Sequence, residues 1–128
     1  MELIGSPSLR PGEEFLWRRN ANYEQTSLRY LGGKLFLTDQ RLIFLPHRLD
    51  EATGGRSWAC ELTDISAIGV EPAQLSVPFF GLAASMRRRL RIEMQSGQNE
   101  FFVVNRVNEA VQRIQDAKQM MQGPGPSG

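Results

Sequence analysis

Gly32-Gly33-Lys34-Leu35-Phe36-Leu37-Thr38-Asp39-Gln40-Arg41-Leu42-Ile43-Phe44-Leu45-Pro46 reads as two apolar runs joined by a tight polar turn. Asp39-Gln40 is short enough to link antiparallel neighbours. Gly32-Gly33 can open the first strand, and Pro46, which has no amide proton to give a ladder, can close the second. The stretch predicts a β-hairpin. Outward from it, the sequence predicts seven strands near 14–23, 28–38, 41–47, 57–62, 65–72, 89–95 and 99–104, then one helix near 106–121.

Side-chain alternation supports the outer strands. Trp58, Cys60 and Leu62 alternate with Ser57, Ala59 and Glu61, which puts the lone cysteine in the core. Leu90, Ile92 and Met94 alternate with Arg89, Arg91 and Glu93. Ser96-Gly97-Gln98 then turns the chain into Glu100-Phe101-Phe102-Val103-Val104, a second hairpin. Asn105 can cap the helix, whose Val107, Ala110, Val111, Ile114, Ala117 and Met121 form one apolar stripe. Such a stripe needs cover, so the helix is expected to lie on the sheets. Residues 1–11 and the Gly/Pro tail 122–128 read as flexible ends around one domain, 12–121.

Composition narrows the function. A chain of 128 residues, 41% apolar and 23% charged, suits one soluble globular core. No apolar run approaches the roughly 20 residues of a membrane span, and Met1–Gly5 lacks the basic and apolar regions of a signal peptide. A cytoplasmic location is therefore expected. One cysteine and one histidine exclude a disulfide and a multi-cysteine metal site, so no cofactor or metal is expected. No Ser-His-Asp set or phosphate-cradling loop is present, and Cys60 on a buried face has no base to activate it. The chain is expected not to be an enzyme. A net charge of +1 also argues against nucleic acid, for which no oligonucleotide-binding motif is found.

Gly33-Lys34-Leu35-Phe36-Leu37-Thr38 followed by Arg41-Leu42-Ile43-Phe44 resembles the GRAM domain, a member of the pleckstrin-homology-like fold group. The resemblance continues in Leu62-Thr63-Asp64-Ile65-Ser66-Ala67-Ile68, in Leu90-Arg91-Ile92 with Gly97, and in Phe101-Phe102-Val103-Val104-Asn105, covering about Gly12 to Ile114. It implies a mainly β fold with one C-terminal helix: a split β-barrel of two antiparallel sheets, seven strands in all, one end plugged by the helix. It also implies an adaptor that binds lipid or protein. The phosphoinositide pattern of pleckstrin-homology domains places Lys and Arg around the first strand pair. Here Arg18, Arg19 and Arg29 occur, but no Lys precedes Gly33, which argues against a stereospecific headgroup pocket.

The leading candidate for binding is the segment 73–91. Met86-Arg87-Arg88-Arg89-Leu90-Arg91 gathers four guanidinium groups after an apolar loop containing Phe79 and Phe80. Arg89 and Arg91 should point the same way. Against an anionic bilayer at the inner membrane face, four arginines supply at most about 4 kcal/mol, so Phe79, Phe80 and Met86 would have to insert as well. The competing reading folds the aromatics back onto the barrel and has the arginines form a solvated face or pair with acids such as Glu93, Glu61 and Glu71. The same surface suits a protein partner, since Phe, Met and Arg favour interface centres. In an alternative reading the apolar 75–86 loop packs in a homo-oligomer or a larger complex. Arg18, Arg19 and Arg29 are weaker candidates. Arg41 is expected to be structural, pairing with Asp39 or Asp64, and Trp17 and Trp58 are expected to pack the barrel.

Overall fold

The computed structural model describes residues 6–26, 29–47, 57–72 and 88–121. They form β1 (Phe15–Thr26), β2 (Arg29–Thr38), β3 (Arg41–Pro46), β4 (Trp58–Glu61), a single 3-10 turn (Leu62–Asp64), β5 (Ile65–Pro72), β6 (Arg88–Met94), β7 (Asn99–Val104) and α1 (Val107–Met121). The seven strands and the helix match the expected order. Leu62 moves from the fourth strand into the 3-10 turn, where its amide donates to the Gln40 carbonyl.

The two sheets expected from the resemblance are one continuous antiparallel ladder, ordered β4-β3-β2-β1-β7-β6-β5. The long β1 makes this so. It pairs with β2 along its length but with β7 only at Ala21, Asn22 and Tyr23, and therefore serves both halves at their shared corner. α1 packs on β5, β6, β7 and the 3-10 turn and covers the core with Val107, Ala110, Ile114 and Ala117. Met121, assigned to that stripe by spacing, is exposed at the helix end.

The core follows the alternation. Leu35, Leu37, Leu42, Phe44, Leu62, Ile65, Leu90, Ile92 and Phe102 are fully buried, each contributing about 1.5–3 kcal/mol relative to an exposed position. Tyr23 stacks on Phe102 at 4.9 Å between ring centroids, and Trp58 lies 5.3 Å from the same ring. Cys60 is buried as expected. Phe36 and Ile43, opposite one another on the other face of the hairpin, are buried too, which explains why these strands read as continuous apolar runs rather than clean alternations.

Local chemistry corrects two expectations about the hairpin. Gly32 and Gly33 lie inside β2, not at its start. A Cβ on Gly33 would sit 2.2 Å from the Leu45 carbonyl oxygen and 2.7 Å from Phe44 Cζ, so glycine is what lets β3 approach. Arg41 pairs with neither Asp39 nor Asp64: its guanidinium holds Glu13, while Asp39 accepts from the Glu14 amide. The role remains structural with a different partner. The turn itself is organised by Thr38, whose hydroxyl oxygen accepts from the amides of Gln40 and Arg41.

The N-terminal approach is tied to this end of the sheet. Arg41 donates to the Ser8 carbonyl, and Arg10 pairs with Glu61 on β4, which its guanidinium holds below the usual carboxylate range. Ser8 and Arg10, within the 1–11 segment, thus contact β3 and β4.

Candidate functional site

Arg89 and Arg91 share a face of β6, opposite Leu90 and Ile92, as the spacing requires. That face meets carboxylates from β5, from β6 itself and, beyond β7, from β1. Arg89 is only 4% exposed. Its Nη1 donates to Glu24 Oε1 on β1 at 2.6 Å, its Nη2 lies 3.4 Å from Glu71 Oε1 on β5, and its guanidinium carbon sits 4.1 Å from the Phe101 ring centroid. Arg91 donates to Glu93 Oε1 at 3.0 Å, and its Nε lies 3.2 Å from Glu71 Oε2. Gly69, directly opposite on β5, leaves room for that guanidinium, since a Cβ there would be 3.2 Å from Nη2. Tyr30 completes the cluster by donating to Glu24.

Two of the four arginines nominated from sequence are therefore neutralised within the fold, by Glu71 and Glu93 as the competing reading had it and by Glu24 as well. Arg88 is exposed and makes no ion pair among the described residues. Phe79, Phe80, Met86, Arg87 and the 75–86 loop lie outside the described residues.

The weaker candidates divide. Arg19 donates to the Asn105 carbonyl at 3.1 Å and to Glu109 Oε1 at 3.0 Å, and its guanidinium lies 5.0 Å over the Trp17 ring. It fastens the start of α1 to β1, and its hydrogen bond holds the Glu109 carboxyl below the usual range. Arg18 is exposed and unpaired among the described residues. Arg29 opens β2, and its side chain lies outside the described part of the structure.

Arg18 borders a groove that the sequence reading missed. Ser6, Phe15, Leu16, Trp17 and Phe36 line it with Arg18, enclosing about 250 Å³. Phe15 is 42% exposed and Leu16 37%, and the Phe15 ring sits 5.7 Å from that of Phe36. The signal was present in Phe15-Leu16-Trp17, three consecutive apolar residues that cannot all face one side of a strand; a register shift between Phe15 and Trp17 accommodates them. A second depression, about 190 Å³, lies over Gly33 and is lined by Asn20, Asn22, His47 and Asn105 with Ala21 and Val103. Its lining offers amide and imidazole hydrogen-bonding groups and no Lys or Arg.

At the β6–β7 end, Tyr23 donates to the buried Glu100 at 2.6 Å, and Gln98 donates to its other oxygen. Burial and that carboxylate push the Tyr23 phenol well above its ordinary pKa. Both oxygens of the Glu100 carboxylate are thus engaged within the fold.

No family model matches the chain, and no curated protein matches it in sequence. Solved structures do match it in shape. The N-terminal PH domain of Vps36 superposes with a TM-score of 0.65 at 20% identity, covering 92% of this chain and 88% of that one. The hSac2 domain of the human phosphoinositide phosphatase Sac2 gives 0.66 at 16% identity, covering 88% and 74%. The C-terminal domain of an unknown protein from Leishmania infantum gives 0.63 at 15%, covering 85% and 87%. At these identities the likeness speaks for architecture: seven antiparallel strands closed by a C-terminal helix are the pleckstrin-homology-like fold.

Proposed function

We propose that this domain is a non-enzymatic adaptor of GRAM type whose principal ligand is a protein. The observation that carries this reading is the neutralisation of Arg89 and Arg91 by Glu24, Glu71 and Glu93. Cations held by carboxylates do not attract an anionic bilayer. Arg88, the remaining described arginine of β6, supplies about 1 kcal/mol of attraction, too little to hold a domain on a membrane. The exposed apolar side chains beside unpaired Arg18 have the mixed character of a protein-binding surface. A cytoplasmic adaptor that touches the membrane weakly or transiently fits the same balance of charge.

Co-sedimentation with phosphatidylcholine vesicles, with and without phosphatidylserine or phosphoinositide, tests the proposal at low and high salt. The expected result is weak binding to the anionic vesicles, abolished by salt. Tight, salt-sensitive vesicle binding that Arg88→Glu removes would overturn the protein-docking reading in favour of a membrane module.

A further inference from the structure

Among the described residues, β1 has a strand neighbour on both sides only at Ala21, Asn22 and Tyr23. From Phe15 to Asn20 it pairs with β2 on one side, and β7 ends at Val104, level with Ala21. Backbone groups on a one-sided strand are a template for another extended chain. Here the open length adjoins the groove formed by Phe15, Leu16, Trp17 and Phe36, with Arg18 exposed on its rim. Three features therefore coincide among the described residues: a strand edge with no strand partner, a depression able to take an apolar side chain, and a guanidinium without a carboxylate.

We infer that the Phe15–Asn20 edge of β1 docks an extended peptide by strand addition, with an apolar side chain of the peptide in the Phe15–Phe36 groove and an acidic side chain against Arg18. The inference rests on the protein-docking reading and names its site and ligand class. Main-chain pairing provides the affinity of such a mode, while pockets for alternate side chains provide the selectivity. Arg18 lies directly opposite Phe36 in the β1–β2 ladder and shares its face, and side chains two apart along an extended chain point the same way, so the apolar residue and an acidic residue two positions along the peptide both meet this face. The groove and the rim at Arg18 then read them separately.

The test uses the full chain, labelled for NMR, and two short capped peptides in which a leucine is followed two positions later by glutamate or by lysine, so that both side chains share one side. The glutamate peptide is expected to shift and protect amides within Phe15–Asn20, while the lysine peptide binds more weakly. Arg18→Glu is expected to weaken the glutamate peptide about fivefold and to reverse the preference. Phe15→Ser, an exposed position, provides a second variant and is expected to lower binding of both peptides. The inference is overturned if neither peptide perturbs Phe15–Asn20, or if the preference ignores Arg18→Glu. It is also overturned if those amides are already protected without peptide, whether by a dimer seen as doubled mass in solution or by the chain's own first residues. A failure here with weak vesicle binding leaves the protein-docking reading standing and removes only this site; tight vesicle binding removes the reading itself.

Discussion

Glu13 accepts two hydrogen bonds from Arg41, from Nε and Nη2 at 2.8 Å each, one carboxylate oxygen to each nitrogen. The Thr38 hydroxyl and the Arg10 amide donate to the same carboxylate at 2.6 and 2.8 Å. A carboxylate with no exposed side-chain surface is thereby matched by a charge and hydrogen-bonded on both oxygens, and it fixes the N-terminal approach to the first hairpin. Two-point geometry of this kind depends on the planar guanidinium, so Arg41→Lys does not reproduce it.

The Arg41 hydrogen bonds lower the Glu13 pKa to about 2, against the opposing effect of burial. A carboxylate depressed in the folded state adds stability above its unfolded pKa and loses it as pH falls through the folded value. Stability should therefore decline from about pH 5 toward pH 2, by on the order of 2 kcal/mol from this group after allowing for solvent screening. Urea midpoints measured across that range should fall for the wild type. Glu13→Gln should start about 3 kcal/mol less stable at pH 7 and show a flatter profile, because an unpaired Arg41 remains. An unchanged slope in the variant would assign the acid sensitivity to other carboxylates.

Arg88 and Arg89 are adjacent in sequence and should behave as opposites. Arg89→Ala leaves Glu24 without its short ion pair and bares the Phe101 face, and should cost about 3 kcal/mol in chemical denaturation. Arg88→Ala should stay within about 0.5 kcal/mol of the wild type, as expected for an exposed position. Equal losses in the two variants would contradict the assignment of Arg89 to structure.

Gly33→Ala should destabilise by about 1–3 kcal/mol, since the added methyl meets the Leu45 and Pro46 backbone, which cannot yield without parting β2 from β3. At Gly32 the nearest atoms to a new Cβ are Asn22 Oδ1 at 3.3 Å and His47 Cδ2 at 3.4 Å, both on side chains, and alanine there should cost markedly less. Thermal melts of the two variants side by side would check the contrast, and a loss at Gly32 as large as at Gly33 would refute it.

Burial pushes the Cys60 thiol up to about 12, with Asp64, Glu100 and Glu61 adding to the shift. At pH 8 the native protein should therefore react with an aromatic disulfide reagent orders of magnitude more slowly than the urea-unfolded chain. The native rate should rise in destabilised variants such as Gly33→Ala, because labelling then follows opening of the β3–β4 pair. Rapid labelling of the folded wild type would show that Cys60 is accessible and reopen the question of its chemistry.

The sequence by itself determined the strands, the turns and the helix of this protein. Those features depend on neighbours: alternation at Trp58–Leu62, the Asp39-Gln40 link, the apolar stripe from Val107 to Ala117. It also foretold that Arg89 and Arg91 share a face, since a strand has a period of two. Which carboxylates meet that face was decided by the ladder. Glu24 is 65 residues from Arg89, and Glu13 is 28 from Arg41, so neither pairing leaves a local trace. The one-sided edge of β1 was hidden for the same reason: it exists because β1 outruns β7, a fact of register between distant strands. A charged side chain's availability depends on what the fold sets against it, and here tertiary structure neutralised Arg89 and Arg91 within the ladder and left Arg18, a weaker candidate from sequence, exposed beside an apolar groove.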